Sequence, residues 1–192
     1  MDIKKVLKDT WNFIWHSDSL ASWIVSFILA FILVKFVIYA GIGLALGTSY
    51  PIVAVVSGSM EHEGLDFDSW WDENKEWYDN KGITKEEFYD YSFKNGFNKG
   101  DIMVLVGEEA KDIYKGDILV FEANSKHPVI HRVVDKWDSD EDYYFQTKGD
   151  NNPQSYPQLQ ETEISEDKLV GKAVFRVPLL GWVKIIFTEL II

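Results

Sequence analysis

The sequence contains no cysteine. Disulfide staples, thiolate metal ligands and a cysteine nucleophile are thereby excluded, while the redox compartment stays open. Cationic side chains are scarce. Nineteen lysines and arginines stand against 31 acids, for a net charge of −12. Such a surface repels phosphate backbones, which argues against nucleic acid as a partner. Histidine is limited to His16, His62, His127 and His131, none of them in a zinc spacing such as H-E-x-x-H. Neither a metal nor an organic cofactor is expected.

Apolar residues are not scarce, but they are unevenly placed. Leu20 to Leu46 read LASWIVSFILAFILVKFVIYAGIGLAL, with Lys35 as the only charge. A bilayer span takes roughly 20 apolar residues. A buried helix of a soluble protein would usually keep a polar face, and this run has none. A cleaved signal sequence could use Lys4, Lys5 and Lys8 as its basic region and Ala45-Leu46-Gly47 as its small-residue site. Its apolar core, however, would usually be about 7–15 residues. The run therefore reads as a permanent anchor. Lys35 lies in its C-terminal half and is read as snorkelling outward, with contact to a partner subunit as the alternative. Lys4, Lys5 and Lys8 precede the run, and no lysine or arginine follows it until Lys75. The positive-inside rule then leaves the N-terminus in the cytoplasm and the rest outside.

The expected organisation is a cytoplasmic segment 1–19, a transmembrane helix 20–46, an extracytoplasmic domain 48–178 and an apolar membrane-associated tail 179–192. Within the domain, residues 61–96 form an acidic, aromatic insert. Phe67, Trp70, Trp71, Asn74 and Tyr78 recur at helical spacing. Thr84 and Glu87 form a capping box, with Ile83 and Phe88 as its hydrophobic staple and Gly96 as the stop. These aromatics are read as a small local core. Elsewhere strand signals dominate, at Tyr50–Val56, Asp101–Val106, Asp117–Glu122, Val129–Asp135, Tyr143–Thr147 and Leu169–Val177. The fold class is mainly β with a small helical insert. Lys-Gly-Asp occurs three times. Asp101 and Asp117 each precede an apolar run and read as turn residues launching strands. Asp150 is followed by Asn151-Asn152-Pro153 and is free for another role.

A hydrolytic serine needs a base, donors for the oxyanion and a group that orients the base. One set is present. Ser59 lies in a glycine-containing turn after a strand. His131 lies on a strand, in VIHRVV, and histidine's unperturbed pKa near 6.5 suits proton transfer near neutrality. Asp150 is the leading candidate to orient it.

Ser57-Gly58-Ser59-Met60-Glu61, just past the apolar run, resembles the nucleophile box of the signal peptidase I family. The resemblance continues through Gly116-Asp117-Ile118-Leu119-Val120-Phe121, Val129-Ile130-His131-Arg132-Val133-Val134 and Thr147-Lys148-Gly149-Asp150-Asn151-Asn152. The order is the family's. The bacterial branch carries a lysine base where His131-Arg132 stands here, so the chain resembles the archaeal and endoplasmic-reticulum branch. The resemblance implies Ser59 as nucleophile, His131 as base, Ser57 as an oxyanion donor and a β domain set against the outer membrane face. It also implies signal peptides of secretory precursors as substrates, cut after small residues. The host membrane would be the cell membrane or an endoplasmic-reticulum-type membrane, with translocation machinery or accessory subunits nearby. One departure stands out. That branch commonly has a second aspartate beyond the Lys-Gly-Asp box, yet residues 151–160 contain no acid. Asp150 is therefore the expected orienting acid, with Glu161 and Glu163 as outside candidates. Two rivals remain: a related anchored peptidase or self-cleaving regulator, and a non-enzymatic binding module that uses the insert.

Overall fold

The computed structural model describes residues 2–140 and 142–191. The chain divides into two compact units, one up to Ala45 and one from Leu46. The first unit is helical. Helix α1, Ile3–His16, is capped by Asp2, whose side chain accepts the Lys4 N–H. The sequence predicts only a cytoplasmic segment there, with no helix. Helix α2, Leu20–Ile32, starts at Ser19, whose hydroxyl accepts the Ser22 N–H at 3.2 Å. It continues through a π-helical stretch, Leu33–Ile38, into α3, Tyr39–Leu46. Leu20–Leu46 thus forms one unbroken rod, the one helix among the described residues long and apolar enough to cross a membrane. The Lys35 ammonium lies over the rings of Phe31 and Phe36.

The second unit is a seven-stranded antiparallel sheet. Its strands are β1 (Ile52–Ala54), β2 (Ile102–Val106), β3 (Ile118–Phe121), β4 (Val129–Ser139), β5 (Asp142–Lys148), β6 (Ile164–Ser165) and β7 (Leu169–Val177). They run in the order β1-β2-β7-β3-β4-β5-β6, so β1 and β6 are its edges. The mainly β fold read from the sequence is what the chain adopts. β6 has only two residues, too few for a periodic signal, and was not anticipated. Gly100 and Gly116 both take positive φ, in the two turns that launch β2 and β3. Asp101 and Asp117 tie those turns by accepting the N–H groups of Asn98 and Tyr114, each at 2.9 Å.

The insert carries two helices, α4 (Phe67–Asp79) and α5 (Lys85–Tyr89). Thr84 caps α5 by accepting the Glu87 N–H, while the Glu87 carboxylate accepts the Tyr91 hydroxyl. Helix α5 ends at Tyr89 and does not run on to Gly96. The chain turns instead through Phe93 and Gly96, both at positive φ. Phe67, Trp70, Trp71, Tyr78, Ile83 and Phe88 pack together with Val134 of β4 as a buried aromatic core. A second core surrounds Met60, Met103, Leu105 and Val120, and a third Leu119, Phe121, Val133 and Phe145. The chain closes with α6, Trp182–Ile191.

Candidate active site

Consecutive strand residues project to opposite faces, and this alternation organises the site. On β4, His131 lies opposite Leu119 of β3, and Arg132 lies opposite Ile118. Arg132 also faces Lys148 of β5, and Val133 faces Thr147. One face therefore carries Leu119, His131, Val133 and Thr147. The other carries Ile118, Arg132 and Lys148, and is roofed by the insert.

On the first face, His131 Nε2 is 2.8 Å from the Ser59 hydroxyl. Its Nδ1 meets Glu161 Oε1 in a short hydrogen bond. The imidazole is nearly buried and Glu161 wholly so. Glu161 is itself fixed. Its Oε2 accepts the Tyr156 N–H at 2.8 Å, the Thr147 hydroxyl lies 3.4 Å from Oε1, and its backbone carbonyl accepts the Thr147 N–H. A carboxylate held on several sides can hold a ring in one orientation.

Ser59 follows β1 in a tight turn closed by a hydrogen bond from the Glu61 N–H to the Gly58 carbonyl. The Ser59 carbonyl accepts the Asn151 N–H at 2.8 Å, joining the turn to the loop after β5. Gly149 lies at that junction. A Cβ there would come within 2.7 Å of the Ser59 carbonyl oxygen and 2.9 Å of His131 Nε2, so no larger residue fits unmoved. The Ser57 hydroxyl is 3.1 Å from that of Ser59.

On the second face, Asp150 is clasped by Arg132. Nε donates to Oδ1 at 2.9 Å and Nη2 to Oδ2 at 2.7 Å. His62 Nε2 lies 3.2 Å from Oδ2, and the His62 ring stacks flat on Trp70 with centroids 3.9 Å apart. Arg132 also donates to the carbonyls of Ser92, Phe93 and Gly116, which binds the end of the insert to the sheet. Burial opposes ionisation of Asp150, but the Arg132 charge and the hydrogen bonds from His62 and Arg132 outweigh it, holding the carboxyl well below the usual range. Lys148 shares this buried cluster, with its ammonium over Tyr78 and hydrogen-bonded to the carbonyls of Gly149 and Asp150. Burial pulls its pKa down to about 8.

Of the residues singled out from sequence, Ser57, Ser59 and His131 are brought together. Asp150, expected to orient His131, is not brought to it. Its neighbour Gly149 approaches the imidazole, and Asp150, in the turn after β5, meets Arg132 on the other face. Glu161, an outside candidate, occupies the position at Nδ1, while Glu163 is exposed. The roles of Arg132 and His62 were missed, because a partner that is distant in sequence leaves no local pattern. Among the described residues no group of three or more His, Asp or Glu side chains is placed to hold a metal ion.

No family model matches the chain. Curated relatives do. The signal peptidase complex catalytic subunit SEC11 of Scheffersomyces stipitis is 28% identical over 159 residues, which span 80% of this chain and 75% of that protein. The SEC11 subunit of Colletotrichum graminicola is 27% identical over 80% of this chain and 73% of its own. The SEC11C subunit of Canis lupus familiaris is 27% identical over 79% of this chain and 65% of its own.

Proposed function

We propose that this chain, a member of the signal peptidase I family in its archaeal and endoplasmic-reticulum branch, is a membrane-anchored serine endopeptidase that cleaves signal peptides from translocated precursors. One observation carries the reading: the hydrogen-bonded line Ser59–His131–Glu161 on a single face of the sheet.

In this mechanism Glu161 accepts the Nδ1–H of His131 and leaves Nε2 free to take a proton. As the Ser59 oxygen attacks the scissile carbonyl, its proton passes to Nε2. Glu161 stabilises the imidazolium so formed. The carbonyl π electrons move onto oxygen, and the Ser57 hydroxyl, 3.1 Å from that of Ser59, is the side-chain donor proposed for it. Collapse of the tetrahedral intermediate breaks the C–N bond, and Nε2 returns the proton to the leaving amine. Water, activated by the same imidazole, then frees the acyl group from Ser59. Strand β1, an edge strand of the sheet, leads into the Ser59 turn.

The apolar rod Leu20–Leu46 supports a membrane anchor, with the N-terminus cytoplasmic and the β unit on the other side. The relatives are named as subunits of a complex, which supports accessory subunits as partners. The binding-module reading is not favoured. The insert's large aromatics, Trp70, Trp71, Tyr78 and Phe88, are buried against one another and cannot form a ligand platform.

The test uses the detergent-solubilised full chain and a signal-bearing precursor. Wild type should cut the precursor once, behind its apolar segment. Ser59→Ala should fold and leave the precursor intact. Cleavage by Ser59→Ala within a few-fold of wild type would overturn the assignment.

A further inference from the structure

We infer that helix α1 lies in the headgroup layer of the cytoplasmic leaflet, with its apolar face in contact with anionic lipid. The inference rests on the reading of Leu20–Leu46 as a membrane span.

Ile3, Leu7, Trp11 and Ile14 recur at i, i+4, i+8 and i+11, which places them on one stripe. Val6 and Trp15 widen it. Lys5, Asp9, Asn12 and His16 form the opposite stripe, with Lys8 at its border and Lys4 between Trp11 and Trp15 at the start of the helix. Apart from Ile14, which is half-buried, the apolar residues of the stripe are exposed. Ile3, Leu7 and Trp15 are each more than three-fifths exposed, and no α1 residue is buried. A soluble protein rarely exposes such a contiguous stripe.

Geometry says what covers it. The chain turns at Ser17-Asp18-Ser19, so α1 does not extend the rod. Its last turn is pinned to α2 by two side-chain hydrogen bonds. The Ser22 hydroxyl donates to the Phe13 carbonyl, and the Ser26 hydroxyl donates to the Ile14 carbonyl at 3.2 Å. Ser22 and Ser26 are within the first two turns of α2. A helix pinned there must sit where the span enters the bilayer. Its composition suits that depth: tryptophans favour the interface, lysines at the border of an apolar face reach headgroup phosphates, and lone acyl-chain contact would leave Lys5 and Asp9 unhydrated. Three lysines against one aspartate, Asp9, within the helix select an anionic surface over a neutral one. Trp11 and Trp15 lie side by side, with ring centroids 5.6 Å apart.

The absence of cysteine makes the test direct. Leu7→Cys, Asp9→Cys and, within the span, Ile28→Cys each carry one nitroxide label in the full-length protein. The proteins are placed in vesicles of phosphatidylcholine and phosphatidylglycerol. Accessibility is read with oxygen, which concentrates in lipid, and with a nickel chelate, which stays in water. The expected result is that Leu7 and Ile28 labels favour oxygen at least several-fold while Asp9 favours nickel. The Leu7 contrast should weaken in pure phosphatidylcholine. If Leu7 and Asp9 are equally open to nickel while Ile28 is protected, α1 lies off the bilayer and only this inference falls. If Ile28 is open to nickel as well, the span reading falls and the inference with it. An unchanged Leu7 contrast in pure phosphatidylcholine would overturn the preference for anionic lipid.

Discussion

His131 and Arg132 are consecutive residues of one strand, and each ends on a buried acid. On the His131 side the acid contacts the ring that, in the proposed mechanism, accepts and releases a proton. On the Arg132 side a guanidinium and a carboxylate are locked together by two hydrogen bonds under an aromatic roof. The first pair is arranged for transfer, the second for permanence. The comparison teaches that the acid nearest a motif is not thereby the acid that serves its histidine. Asp150 sits in the motif and holds a charge. Glu161 stands beyond the gap that has no acids and faces the ring.

Three substitutions would break or sharpen this contrast. The largest effect is expected from Glu161→Gln. The amide would present a donor to Nδ1 and favour the tautomer with the proton on Nε2, so turnover should fall by about 10⁴-fold. Stability should change little, since the side-chain oxygen can still accept the Tyr156 N–H. Precursor cleavage per folded molecule is the measurement, and near-normal activity would return the orienting role to another acid.

Asp150→Asn should do the converse. It leaves the Arg132 charge buried and unmatched, which costs about 3–5 kcal/mol. Denaturant unfolding should show that loss, while the molecules that remain folded keep most of their activity. A stable but inactive Asp150→Asn protein would reverse the assignment of the two acids.

The smallest effect concerns Lys148. Burial lowers its pKa to about 8 in the folded protein, against about 10.4 in an unfolded chain. Below the folded value, the cost of keeping the buried ammonium charged is fully present. As pH rises from about 8 toward 10, the folded protein sheds a proton that the unfolded chain still holds, and stability rises. The whole gap corresponds to on the order of 3 kcal/mol. Lys148→Met should lack this rise. The comparison is the difference in unfolding free energy between wild type and Lys148→Met at pH 8 and pH 10. Parallel curves would show that Lys148 is not desolvated in solution.

Much of the fold was legible because its signals are local. Runs of β-branched and aromatic residues marked six of the seven strands. Thr84-x-x-Glu87 marked a helix start, and the glycine turns before Asp101 and Asp117 marked two strand starts. Ser59 and His131 were also legible, each from its own surroundings and from the order of the boxes. Glu161 was visible only as the first acid after a gap. Its placement depends on the path of the loop from Gly149 to Ile164, which hydrogen bonds around Thr147 and Tyr156 decide. Arg132 reads like any strand arginine until the carbonyls of Ser92 and Phe93 converge on it. Residues 1–19 are expected only as a cytoplasmic segment, although Ile3, Leu7, Trp11 and Ile14 recur at helical spacing there.

The π-helical stretch Leu33–Ile38 also bears on how the anchor meets its surroundings. In a continuous α-helix, a stripe of side chains keeps its bearing from end to end. A stretch bonded i to i+5 takes in extra residues per turn, so the bearing rotates across it. The part of the rod before Leu33 and the part after Ile38 therefore look in different directions. A neighbouring helix that follows one stripe through the lower half meets a different set of side chains in the upper half. Lys35 lies within that change of bearing.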